Sequence, residues 1–239
     1  HITALDATDI AEFTTDQLGA LTATQAQALT STNMADLAET QIQALTTTSL
    51  RSMSATNVAS MSTTQLAALT TQQTASLTTG QLNALTSTKL GAFTESQIEA
   101  LTTTQVAAIS TTSLVSLDAT QVAALTATQV ANLTATQIGA LTTTNLSSFT
   151  ETQVGAITAT QIKSLSTTNL SALGETQTGA LTTTQIASLS TAQVGALNAT
   201  DIGELDATQI GALTATQLSR LTTEAVVALD ATQLGGLNT

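Results

Sequence analysis

From Asp6 to Leu237 the apolar residues recur on a fixed grid of eight, through 29 consecutive octads with no insertion or deletion. Position 8 is Leu, Ile, Met or Phe in all 29. Position 5 is aliphatic in 26, the exceptions being Ala26, Thr74 and Thr178. Position 1 is Thr, Ser, Asp or Asn in 27, the exceptions being Ala38 and Gly174, and position 4 is Gln in 19. Position 7 is mostly Ala or Ser. Typical units are TATQIGAL (Thr134 to Leu141), TTTQIASL (Thr182 to Leu189) and DATQVAAL (Asp118 to Leu125).

This grid predicts one very short helix per octad, over positions 2 to 7. The short oxygen-bearing residues at position 1 accept a first-turn backbone N–H as N-caps. Gln three residues later completes a capping box by reaching back to the cap residue's own N–H. Position 8 of the preceding octad then falls at N′ and position 5 at N4, which together form a hydrophobic staple. Asp118, Asp206 and Asp230 at position 1 suit the positive end of a helix dipole, as do Glu39, Glu95, Glu151 and Glu175 at position 2. A β-solenoid is excluded because positions 5 and 8 have opposite parity, whereas strands alternate with period 2. One continuous α-helix is excluded because its apolar stripe would drift about 80° per octad. So much Thr, Ser and Gly would also cost it helical stability. A lone octad buries too little to offset the entropy of ordering eight residues. Octads must therefore stack, which buries position 7 and satisfies the Thr and Gln polar groups. The expected fold class is all-α: a single continuous octapeptide-repeat solenoid over residues 1–239, held by nearest-neighbour contacts.

A second period lies on top of the first. From the fourth octad on, position 4 departs from Gln at Asn33, Ser49, Asn57, Lys89, Ser113, Asn145, Asn169, Asp201 and Ala225. Without Ser49, these residues alternate at gaps of three and four octads, with a full period of 56 residues. The octad after each usually carries an acid, and Arg51, Lys163 and Arg220 sit two octads after one set of these markers. Duplication of a 56-residue segment accounts for the full period but not for its division into three plus four. About 3.5 octads per solenoid turn accounts for both, by heptad logic moved up one structural level. Asn33, Asn57, Lys89, Ser113, Asn145, Asn169, Asp201 and Ala225 are then expected to form one stripe along the solenoid, the candidate lateral interface.

Composition narrows the function. Aromatics are 1%, and Pro, Cys, Trp and Tyr are absent. The chain is nonetheless 42% hydrophobic and only 8% charged, unlike a disordered chain. Its 16 acids and 4 bases give a net charge of −12, which excludes nucleic acid as a partner. No apolar run approaches membrane-helix length, so no membrane insertion is expected. The single histidine, His1, and the lack of cysteine remove nucleophilic triads and His-based metal sites. The hydroxyls read as caps, and paired carboxylates need a cleft that a regular solenoid does not offer. No cofactor and no catalysis are expected. Ca²⁺ is the one metal that the oxygen ligands suit, at Asp6, Asp9, Glu12 and Asp16 and at Asp201, Glu204 and Asp206. A solvated acidic face ranks ahead of it, because neither an EF-hand loop nor a Gly-rich nonapeptide is present. An ice-binding Thr array ranks lower still, because cap hydroxyls turn toward the backbone.

The unit [TS]-[TA]-T-Q-[IVL]-x-[AS]-L, as in TTTQVAAI (Thr102 to Ile109), resembles Thr/Ala-rich octad arrays of very large secreted or surface proteins of Gram-negative bacteria. Those are often labelled adhesin-like, haemagglutinin-like or haem-utilisation proteins. The likeness covers essentially the whole chain and implies an extracellular or cell-surface structural role with no particular ligand. The haem label finds no support in the residues: Met34, Met53 and Met61, the only methionines, all take core positions 5 or 8. The chain starts mid-octad with H-I-T-A-L and stops mid-octad with N-T, so a piece of a longer array or a protomer stacked end to end is expected. The functional expectation is an extracellular rod, either an adhesin stalk or a self-associating filament or sheath protomer. The alternative is a binding module that uses a stripe of the solenoid surface.

Overall fold

A computed structural model describes residues 5–237; His1 lies outside the described residues. The described residues form 29 short helices and no strand, from α1 (Ala7–Ala11) to α29 (Ala231–Gly236). Each helix occupies one octad. The longest, such as α17 (Ala135–Ala140), fill positions 2 to 7, and the shortest, such as α20 (Ala159–Ile162), stop at position 5.

The octad TATQIGAL shows why the helix starts and stops where it does. Thr134 is extended, with φ −70° and ψ 154°. Its Oγ1 accepts the Gln137 N–H at 3.1 Å, while Gln137 Oε1 accepts the Thr134 N–H at 2.7 Å. Both arms of the capping box are therefore closed. At the other end the Leu141 N–H donates to the Ile138 carbonyl at 3.2 Å, a 3₁₀-type closure. Leu141 then returns to near-extended backbone, with ψ 139°, and the next cap follows. No residue needs positive φ among the described residues, so the corner asks nothing of glycine or proline. Thr134→Ala should cost about 1 kcal/mol through the lost cap. Thermal melting of the variant measures this, and Thr136→Ala, on an exposed residue one turn-position inside the helix, should change little.

The contacts divide the chain into two compact units, residues 1–124 and 125–239, and each is described by itself. The boundary falls inside the octad Asp118–Leu125, where the repeat continues unchanged. In both units the core is built from positions 5 and 8, including Ile98, Val106 and Leu69 in the first and Val154, Ile186 and Leu189 in the second. The three position-5 exceptions are buried as well. Ala26 and Thr74 are fully buried, and the Thr74 hydroxyl is satisfied by the Thr70 carbonyl one helical turn back. Thr178 donates to Glu204 Oε2 at 3.1 Å. The expectation that positions 5 and 8 point inward fails toward the C-terminal end, where Val226 and Leu234 are about half exposed, at 48% and 50%, whereas Ile10, Leu18 and Ala26 in the first turn are fully buried.

Helices stack on those three octads away. Examples are α3 (Ala23–Gln27) with α6 (Thr47–Ser52) in the first unit and α24 (Thr191–Gly195) with α27 (Ala215–Leu218) in the second. The hydrogen bonds from the position-4 glutamines instead reach helices four octads away. Each helix thus straddles two helices of the next turn, and a turn holds about 3.5 octads. The approach is tight at position 6. A Cβ added to Gly139 would come within 2.9 Å of the Ser164 carbonyl oxygen, 25 residues on.

Candidate functional site: the layer between turns

The side chain that joins successive turns is the Gln at position 4. Gln97 sits on α12 (Glu95–Ala100), where its Oε1 accepts the Thr94 N–H at 2.8 Å. Its Nε2 points the opposite way, into the turn below. It donates to the carbonyls of Leu69 at 2.7 Å, Leu66 at 2.9 Å and Ala67 at 3.2 Å, at separations of 28, 31 and 30 residues. Gln73, Gln105, Gln185, Gln193 and Gln209 repeat the same reach to positions 5 and 8. The acceptors are carbonyls at the C-terminal end of a short helix, and the one at position 5, such as that of Leu66, also accepts the position-8 N–H. One amide group therefore closes the start of its own helix and the end of another. Among the described residues no buried side-chain nitrogen or oxygen lacks a partner.

The spacing of Gln three residues after the cap reveals its capping role. The clamp role has no local sequence signal, because the acceptors lie a full turn away. The recurrence of Gln, where Glu would serve the capping box equally well, is the one trace of it: of these two side chains only Gln carries a donor beside its acceptor.

The marker residues lie in this same layer between turns and do not project outward. Asn33, Asn57, Ser113, Asn145, Asn169, Asp201 and Ala225 are buried, and Lys89 is half-buried. Asn33 donates to the Leu5 carbonyl at 3.0 Å and Asn169 to that of Leu141 at 2.6 Å, each across 28 residues, and Asn57 makes the equivalent bond to Leu29. Asparagine, one methylene shorter, keeps the position-8 carbonyl and gives up the position-5 one. Lys89 Nζ donates to the Ala59 carbonyl. The Ser113 and Ser87 hydroxyls lie 3.5 Å apart. Asp201 Oδ2 accepts from Ser171 Oγ at 2.8 Å and from the Asn198 N–H at 2.9 Å. Asn145 Oδ1 accepts the Thr142 N–H at 3.1 Å, and Ala225 brings no polar group.

The helices that carry the markers do stack. In the first unit α4 (Ser31–Asp36) lies on α7 (Ala55–Ser60). The Lys89 bond joins α7 to α11 (Ser87–Leu90), which packs on α14 (Thr111–Val115). In the second unit α18 (Thr143–Ser147) packs on α21 (Thr167–Leu170). Ser171, just after α21, binds Asp201 on α25 (Ala199–Gly203), and α25 packs on α28 (Thr223–Val227). A lateral partner on this side would meet the exposed faces of these helices, with the marker side chains behind them.

The acidic clusters are used locally. Asp6 Oδ1 accepts the N–H groups of Thr8 and Asp9, and Asp9 returns the bond to the Asp6 N–H. Glu204 accepts from Thr178 and Asp206 caps Gln209. No group of three or more His, Cys, Asp or Glu side chains is placed to hold a metal among the described residues. One titration is shifted. The Gln121 backbone N–H first, and the Thr120 hydroxyl second, hold the Asp118 carboxyl below its ordinary 3.8. The folded state therefore favours the carboxylate. Its contribution to stability is present above pH 3.8 and is lost as pH falls through the lowered folded value. Asp118→Asn should flatten that part of the profile in melts between about pH 2 and pH 5.

These features define a Thr/Ala-rich octapeptide-repeat solenoid of capped one-turn helices. Residues 42–79 and 74–111 each match the family model of the ALTTAQ repeat. That hexapeptide falls at positions 7, 8, 1, 2, 3 and 4, as in Ala100-Leu101-Thr102-Thr103-Thr104-Gln105. It spans the corner from one helix, through the cap, to the clamp glutamine of the next. No curated protein matches the chain significantly. No helix among the described residues is long and apolar enough to cross a membrane.

Proposed function

We propose that the chain is a non-catalytic structural element, an extracellular or cell-surface rod that acts as an adhesin stalk or as the protomer of a filament or sheath. The observation that supports this reading is the glutamine clamp. Nearly every turn is tied to its neighbour by the same amide, so the polar chemistry that recurs most along the chain is spent on cohesion between turns. Such a stack lengthens by addition of octads without a change in any one contact. The resemblance to octad arrays of large bacterial surface proteins supports the surface location, and self-association belongs to the filament form. Electron microscopy of native material, with gold-labelled antibody against the octads on intact cells, tests it. Elongated objects at the cell exterior are the expected result. Label confined to the cell interior, on compact particles, would sink the proposal.

A further inference from the structure

The charged side chains are sorted by octad in a way that neither helix capping nor the core requires. In the second unit α19 (Glu151–Ala156) packs on α22 (Glu175–Gly179), and α26 (Ala207–Gly211) packs on α29 (Ala231–Gly236). Gln209 on α26 is bonded to the carbonyl of Thr178 on α22, which completes one column of four helices. Each carries one exposed acid at its start: Glu151, Glu175, Asp206 and Asp230. The octads that follow α19 and α26 hold Lys163 and Arg220, the only cations of this unit, both exposed and with no acid in their own octads. The same side of the solenoid links these two: Gln193 on α24 clamps the Ile162 carbonyl of α20, and α24 packs on α27, just before Arg220. One octad step turns rather more than a quarter of the circumference, so the acidic and basic columns are different faces. Neither Lys163 nor Arg220 has a side-chain partner among the described residues. In the first unit Arg51 likewise sits in the octad after Glu39, and α12 packs on α15 (Ala119–Ala123), so Glu95 and Asp118 share a column, although neither is followed by a cation in the next octad.

The helix dipole explains why acids sit at helix starts and cations at helix ends. All 29 helices have such ends, however, and in the second unit the acids at the starts of α19, α22, α26 and α29 share one column, with Asp201, Glu204 and Glu224 in the octads of α25 and α28 beside it. Duplication at multiples of 56 residues accounts for Glu39, Glu95 and Glu151, for Arg51 and Lys163, and for Asp118 and Asp230, but Glu175, Asp206 and Arg220 are each shifted by one position and still keep their octad. What stays constant is the face. We propose that these faces join copies of this chain side by side, the acidic column of one against the Lys163/Arg220 column of the next. The contact is heterologous, so each copy keeps a free acidic and a free basic face and the association propagates sideways. Ion pairs of this exposed kind set register and partner choice and are weakened by salt.

The inference rests on the structural-rod reading and is tested apart from it, on the purified 239-residue chain by analytical ultracentrifugation. The chain should self-associate at low ionic strength and dissociate in about 1 M salt, where the Debye length falls to about 3 Å. Lys163→Glu with Arg220→Glu should weaken association about ten-fold or more, as should Glu151→Lys with Glu175→Lys. All four residues are exposed, and unchanged melting curves check that the variants fold. An equimolar mixture of the two double variants should associate again, because the intact acidic column of the first variant then meets the intact Lys163/Arg220 column of the second. A chain that stays monomeric at low salt overturns the proposal, and so does association indifferent to the reversals. Either result leaves the rod reading standing as an isolated stalk, whereas an intracellular location defeats that reading without touching the ultracentrifuge result.

Discussion

Gln97→Glu is expected to destabilise the protein by roughly 3–6 kcal/mol, although it changes one atom and keeps the capping acceptor. The Thr94 N–H still finds a carboxylate oxygen where it had Oε1. The Nε2 group that served Leu66, Ala67 and Leu69 becomes a second oxygen. Three carbonyls lose a donor, at about 1–3 kcal/mol for each that stays dry, and a buried negative charge faces them. Gln97 is 1% exposed, so water does not enter to repair the loss without opening the stack. The effect should shrink in acid, because a protonated carboxyl recovers one O–H donor. Denaturant melts of wild type and variant, compared at neutral and acid pH, measure both quantities. A Gln97→Glu protein as stable as wild type would show that the capping box alone retains glutamine and that the contact between turns is incidental.

A charge in the core should cost at least as much. Leu141→Asp places a carboxylate at a position 8 that is 4% exposed, with no cation in the core to pair with it. The expected loss is about 4 kcal/mol or more, and Leu141→Ala, which leaves only a cavity, should lose roughly 2–5 kcal/mol. The Leu141 carbonyl also accepts Asn169 Nδ2, so displacement of this corner breaks a bond between turns. In a quasi-one-dimensional stack the damage should be felt most in the turns next to the substitution. Hydrogen exchange should therefore show fast amides in the octads nearest 141 and protected ones several turns away. An unchanged melting temperature for Leu141→Asp would mean that position 8 does not face the interior.

The two predictions draw on different kinds of knowledge. The charge in the core follows from the grid of positions 5 and 8, legible in any octad. So do the cap, the box and the staple, because each joins residues a few positions apart and leaves its mark in local spacing. The number of octads per turn was legible too, though only through the uneven gaps between Asn33, Asn57, Lys89 and the markers after them.

The partners of the second amide atom were not legible. Gln97 Nε2 finds its acceptors 28 to 31 residues away, and nothing near residue 97 in the sequence distinguishes those carbonyls from bulk water. The same holds for the place of the markers, which the stack folds into the layer between turns, and for Thr178, a polar residue in a core position that is satisfied by Glu204. The sequence alone determined the repeat, the class of each element, its start and its inward face, because those depend on forces that act within one octad and its neighbours. Only the tertiary structure decided that each helix straddles two others and which carbonyls each amide closes, since helix ends left open by a one-turn helix take their hydrogen bonds from whatever the next turn places above them.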